Sequence, residues 1–156
     1  MPKVRKAFEL SASDWLLIVS ATMWFAVVEL GLRVVRLRTL LAILQNRKRS
    51  DRENDDQSFA NAERSRYCVE LASRLYLLHP TCLKQALVLY ALLTRRGFHL
   101  QLLIGVAKTE GELEAHAWLE HQGRVIMCGP GCERYSILCR LDSSMVGTHP
   151  KGQAAS

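Results

Sequence analysis

Five cysteines and five histidines carry most of the reactive chemistry in this 156-residue chain. Cys82 is the most suggestively placed. It follows a break at His79-Pro80-Thr81 and opens the run Cys82 to Arg96, in which Leu83, Ala86, Leu87, Tyr90 and Leu93 recur on one helical face. A helix N-terminus presents unpaired N–H groups and a partial positive charge, which favour a negative sulfur, and the thiolate is the nucleophilic form of cysteine. The same N–H groups could stabilise the oxyanion formed when such a sulfur attacks a carbonyl. A nucleophile of this kind needs a base within reach. His116 fits, because it begins an apolar stretch, His116 to His121, after a polar loop around Gly111. His79 is too close along the chain for an obvious approach to the thiol, and His99 opens an earlier strand. On spacing alone, a cysteine so placed is more often a small packing residue than a nucleophile.

The elements that must position these residues follow from the pattern. Cys68, Leu71, Leu75 and Leu78 repeat at helical spacing before the break. Arg95 and Arg96 close the Cys82 helix, with Gly97 as a good residue just past its end. His99 to Val106, His116 to His121 and Arg124 to Cys128 read as strands, the last two joined by a turn at Gln122-Gly123. Residues 133–142 are ambiguous. The expected class is therefore α+β, with a Cys-bearing helix packed on a small antiparallel sheet.

Upstream, Trp15 to Val28 is an unbroken apolar run behind Ser11 and Asp14, and Leu37 to Leu44 is a second apolar helix. Fourteen residues fall short of the roughly twenty that a membrane-spanning helix needs. A buried helix, or one lying on a bilayer or a partner, is expected. Arg33, Arg36, Arg38, Arg47, Lys48 and Arg49 would meet anionic headgroups if lipid were touched. Gln45 to Arg66 is almost wholly polar. The expected organisation is a hydrophobic helical segment (1–50), a polar linker (51–66), a core (67–145) and an unstructured tail (146–156).

The formal charge of +6 favours acidic partners or an anionic surface. The basic residues lack the aromatic interleaving of a base-stacking surface, so nucleic acid is not expected. No phosphate-cradling glycine loop is present, so no nucleotide cofactor is expected. An odd, irregular set of cysteines and the lack of a signal-peptide pattern point to a cytoplasmic protein with reduced thiols. Cys128, Cys132 and Cys139, with His121, could form a Cys₃His zinc set, but no paired C-x₂-C knuckle supports it, and no metal is expected. Trp118 could wall a site or serve as an ordinary core residue.

The run from Cys82 to Gly97, then Leu103 to Val106, then His116-Ala117-Trp118-Leu119-Glu120 with Gly123, resembles the leader peptidases of lasso-peptide biosynthesis. These are bacterial cysteine peptidases of transglutaminase-like fold. The resemblance spans roughly Tyr67 to Leu141, and the hydrophobic helices before it look like the N-terminal extension of the stand-alone form. It implies that Cys82 is the nucleophile and His116 the base of a papain-type triad, in a hydrolase that removes the leader from a ribosomally made precursor before macrolactam closure. It also implies a separate leader-recognition protein and an ATP-dependent macrolactam synthetase as partners. The third member departs from the family pattern. The family commonly has an Asp twelve residues after the His, and here that position is Cys128. A turn centred on Gln122-Gly123 would place Cys128 nearly opposite His116 and Ala117. A Cys–His dyad, a substitute carboxylate (Glu120, Glu133 or Asp142) or an impaired copy all remain open. So do a non-catalytic docking protein of the same fold and a transferase that resolves the thioester with an amine.

Overall fold

The computed structural model describes residues 11–44, 55–109, 111–128 and 131–142. The expected tail, the basic cluster Arg47, Lys48 and Arg49, and residues 51–54 of the expected linker lie outside them. Four helices precede a four-stranded sheet: α1 (Ala12–Val34), α2 (Leu37–Leu44), α3 (Asp55–Leu75), α4 (Cys82–Thr94), β1 (Leu100–Thr109), β2 (Glu112–His121), β3 (Arg124–Met127) and β4 (Ser136–Asp142), with a single 3₁₀ turn at Cys132–Arg134. All pairings are antiparallel, in the order β3-β2-β1-β4. The α+β class with an apolar N-terminal helix is as the sequence leads one to expect.

Helix α4 lies at the centre. Every residue from Ala86 to Thr94 is buried, so the single apolar face read from the sequence is only part of what it buries. A helix apolar on all sides needs neighbours on all sides. Helices α1 and α3 pack against it, and β2 and β1 also contact it. Leu87, Leu89, Tyr90 and Leu93 are at most 1% exposed, and burying each such side chain contributes about 1.5–3 kcal/mol. The helix ends where Gly97 takes φ +96° and the Phe98 N–H returns to the Leu93 carbonyl at 3.2 Å.

Residues 55–66, which read as linker by composition, are the first half of α3. Its inward residues are small: Ala62, Ser65, Val69 and Ala72 are essentially inaccessible, and they let α3 approach closely. Its outer surface carries the i,i+3 and i,i+4 pairs of Arg66 with Glu63 (3.1 Å) and Glu70 (2.7 Å). Nor is α1 a detached segment. Asp14, Ile18, Ala21, Phe25 and Val28 form its buried stripe.

Two ion pairs fix α1 to the core. Glu29 meets Lys84, two residues beyond Cys82 on α4. At the other end the Asp14 carboxylate accepts the Ser11 backbone N–H at 2.9 Å and both arms of the Arg64 fork at 2.6 and 2.7 Å. Asp14 is only 2% exposed. The Arg64 hydrogen bonds hold its carboxyl down to about 2, from an ordinary 3.8. A carboxylate held low in the folded state contributes stability above its unfolded value, and loses that contribution as pH falls through its folded value. The window here runs from pH 3.8 down to about 2. Asp14→Asn should therefore lower the urea midpoint at pH 7 and flatten its decline between pH 4 and pH 2, relative to wild type. Parallel midpoint curves for the two proteins across that window would show that the pair does not stabilise the fold.

Candidate active site

Chain reversal at His79 (φ 40°) and Pro80 delivers Thr81 in an extended conformation as the N-cap of α4. Thr81 makes no side-chain cap hydrogen bond. The Gln85 N–H closes the first turn on the Thr81 carbonyl at 3.0 Å, and the Gln85 side chain reaches back to the Pro80 carbonyl at 3.1 Å. The earlier N–H groups of the first turn, including that of Cys82, have no intrahelical acceptor and can serve a ligand. Cys82 is half-buried.

On the sheet, β2 alternates. Ala117 and Leu119 belong to the core cluster formed with α4. His116, Trp118 and Glu120 fall on the other side. The β2–β3 hairpin turns at Gln122 and Gly123, both with positive φ, as a two-residue hairpin of primed type requires. β3 pairs only as far as Met127, so β2 from Trp118 back has no partner along that edge among the described residues. A cleft of about 400 Å³ lies there. Glu70 and Arg74 of α3, Cys82 and Gln85 of α4, His116 of β2 and Cys128 just past β3 all line it.

The His116 ring is stacked between two aromatic neighbours, Trp118 at 6.2 Å (19° between planes) and Tyr135 at 5.1 Å (28°). Its Nε2 is buried without a hydrogen-bond partner among the described residues. Burial, and then the nearby Arg134 guanidinium, push its pKa below the ordinary value, with Glu114 opposing. The neutral ring, a proton acceptor, is thus the favoured form near neutrality. Among the described residues no hydrogen bond joins Cys82 to His116; the two share the cleft wall.

A family model for the transglutaminase-like superfamily matches residues 24–140. The chain belongs to that superfamily. The match begins within α1 and so takes in most of the N-terminal helices as well as the sheet. No curated protein and no solved structure matches the chain. Transglutaminase-like proteins are commonly cysteine peptidases or transglutaminases, and the Cys82 helix with the His116 strand is the part of the fold that could carry such chemistry.

The register of β3 differs from the expected one. A bulge between Leu119 and Glu120 sets Leu119 opposite Met127, so Cys128 follows on toward Trp118 rather than toward His116 or Ala117. The Cys128 sulfur nevertheless reaches the ring: a His116 nitrogen and the sulfurs of Cys128 and Cys132 lie within 4.8 Å of one another. Cys128 and Cys132 are joined as a disulfide, with Cα atoms 6.2 Å apart. The two sulfurs are thus near enough to pair, a proximity that the expectation of uniformly reduced thiols did not foresee. The Cys₃His set is also not assembled. His121 is bound through Nδ1 to the His99 carbonyl at 2.8 Å, and Cys139 stands opposite Ile104 on the helix-facing side of the sheet.

Of the substitute carboxylates, Glu120 accepts from the Trp118 indole at 3.2 Å, Glu133 is exposed on the 3₁₀ turn, and position 142 ends β4 in backbone register with Gln101. The acid that acts on His116 is Glu114, which accepts from Arg134 at 2.8 Å and the Tyr135 hydroxyl at 3.2 Å. Sequence reasoning missed it, although two-residue strand periodicity places it on the His116 face. Nothing in the sequence signalled Tyr135.

Trp118 is a buried strand residue and is not among those lining the cleft. It is 4% exposed and lies over Gly105, where an added Cβ would come within 2.9 Å of the indole ring and 3.0 Å of the Ser136 carbonyl. Gly105→Ala should displace the Trp118–His116 stack and destabilise the fold by about 1–3 kcal/mol, as overpacking does. Near-UV circular dichroism and urea melts would read this. Unchanged tryptophan ellipticity and stability would show that the sheet accommodates the methyl without moving the ring.

Proposed function

We propose that this protein is a cysteine peptidase that removes the leader from a ribosomally synthesised lasso-peptide precursor before macrolactam closure. The observation that carries the reading is one cleft lined by both Cys82, at the uncapped start of α4, and His116. Superfamily membership and the Cys-to-His sequence block support it further. In this reading the neutral His116 ring takes the Cys82 proton as sulfur attacks the scissile carbonyl, and the first-turn N–H groups of α4 receive the oxyanion. The imidazolium then protonates the leaving amine, and water releases the acyl-enzyme. Catalytic hydrogen bonds often form only once substrate is bound. The precursor would be presented by a separate recognition protein and passed to a macrolactam synthetase, which uses any ATP the pathway needs.

Cys82→Ala and His116→Ala should each lower single-turnover cleavage of a precursor by at least about 10³-fold while leaving the fold intact. Iodoacetamide under non-reducing conditions should label Cys82 before Cys68, whose thiol is buried and pushed up by that burial. Full cleavage by Cys82→Ala would end the assignment. A wild type that binds precursor without cleaving it would favour the docking-protein reading instead.

We further propose that α1 rests on the inner face of an anionic membrane. Its outward stripe of Trp15, Val19, Met23, Val27, Leu30 and Val34 is 49–73% exposed, and Arg33, Arg36 and Arg38 are exposed at its C-terminal end. The helix is long and apolar enough to cross a bilayer by length and composition. Its opposite face is committed to α3 and α4, which suits a helix lying in the interface. Co-sedimentation should be strong with phosphatidylglycerol vesicles and weak with phosphatidylcholine. Each charge neutralisation, Arg36→Gln or Arg38→Gln, should weaken it about fivefold. Equal binding to both lipids, or none, would remove the membrane from the reading.

A further inference from the structure

The disulfide beside His116 is the feature that cleavage does not use. Cys128 follows β3 directly, Cys132 opens the 3₁₀ turn beyond it, and both are half-buried. Their sulfurs and a His116 nitrogen are mutually within 4.8 Å. In a tetrahedral zinc site, with Zn–S near 2.3 Å and Zn–N near 2.0–2.1 Å, ligand atoms stand about 3.5–4 Å apart. The three groups are thus already gathered on the scale of one ion, and only the sulfur–sulfur bond keeps the two sulfurs from serving as ligands. A second, independent observation points the same way. His116 Nε2 is buried with no hydrogen-bond partner among the described residues, and a buried, unbonded imidazole nitrogen calls for a partner that supplies a proton or a metal.

We propose that Cys128, Cys132 and His116 form a zinc site gated by the redox state of the Cys128–Cys132 pair. In the oxidised protein the disulfide holds both sulfurs and His116 is free. A dithiol reductant supplies two electrons and two protons. The S–S bond breaks, each sulfur leaves as a thiol, and the reductant departs as its own disulfide. A divalent zinc ion then displaces the two thiol protons and takes two thiolates and the His116 nitrogen, with water in the fourth position. The gating of metal by redox state stands on this geometry alone. The consequence for cleavage rests on the peptidase reading above: with its nitrogen on zinc, His116 cannot take the Cys82 proton, so the reduced, zinc-loaded protein is inactive.

The direct probe is cobalt(II), whose thiolate ligation gives a near-ultraviolet charge-transfer band. The full-length protein is titrated in oxidised and reduced forms, with zinc competition. The reduced form should take one equivalent, with the band, and lose it to zinc. The oxidised form should bind at least about 100-fold more weakly. Cys132→Ser should weaken binding by a similar factor, and Cys82→Ala should bind as wild type does. Circular dichroism shows whether Cys132→Ser is folded, and the oxidised and reduced wild type supply the same contrast without any variant. Equal cobalt binding by the two redox forms overturns the site, as does loss of the band in Cys82→Ala, which would move the metal to the proposed nucleophile. Cleavage is scored separately in single turnover. Zinc should slow the reduced wild type at least tenfold and spare Cys132→Ser. If no cleavage occurs under any condition, the peptidase reading fails while the cobalt result still decides the site. If cleavage occurs and reduced wild type is untouched by saturating zinc, the gating of activity is overturned.

Discussion

The burial of α4 is the constraint on which the rest of the structure depends. A thirteen-residue helix with no polar face along its last nine residues cannot remain at a surface, and one sheet can cover only one side of it. Helices α1, α2 and α3 supply the other sides. The N-terminal segment is therefore part of the core that holds Cys82, and the family match beginning at residue 24 agrees with that. Only the first turn of α4, where Cys82 to Gln85 are half-buried, emerges from this packing, and it emerges into the cleft.

Charge placement serves the same end. Lys84 sits in the first turn of α4, where a cation is unfavourable to the helix dipole, and its pairing with Glu29 of α1 offsets that. Asp14, by contrast, stands in the first turn of α1, where a carboxylate is favoured, and accepts both arms of Arg64 from α3. Together the two pairs fix α1 lengthwise against its neighbours and leave its apolar outer stripe uncovered among the described residues. A stripe of that length is more than a solvated helix needs.

Much of this was legible in the sequence where a local rule decides the outcome. The break at His79-Pro80-Thr81, Gly97 at the helix end and the Gln122-Gly123 turn each include a positive φ that few residues adopt, and each stands where expected. The first half of α3 was hidden because the residues it buries there are Ala62 and Ser65, which hydropathy does not distinguish from linker. The register at Cys128 was hidden by a bulge, which a two-residue period cannot reveal. Tyr135 and Arg134 reach His116 only through the path of the chain after β3, and no spacing rule predicts that path.

The surroundings of His116 define what such a base can do. Trp118 and Tyr135 fix the plane of the ring by stacking, so orientation does not depend on a hydrogen-bonded carboxylate. Stacking cannot choose the tautomer, however, and it does little for a charged ring in a site that burial already makes hostile to charge. Arg134 adds to that hostility, and Glu114, engaged with Arg134 and the Tyr135 hydroxyl, opposes it only in part. An imidazolium formed here is held weakly and returns its proton readily. In the proposed peptidase reading, that suits the protonation of a leaving amine more than it suits a standing thiolate–imidazolium pair. A buried, neutral, soft-edged nitrogen beside two sulfurs is also the environment that late first-row metals prefer. Under the two proposals above, the same stacked, half-buried ring that would serve as a base is also the one open to metal capture, and the state of the Cys128–Cys132 pair would decide between the two outcomes.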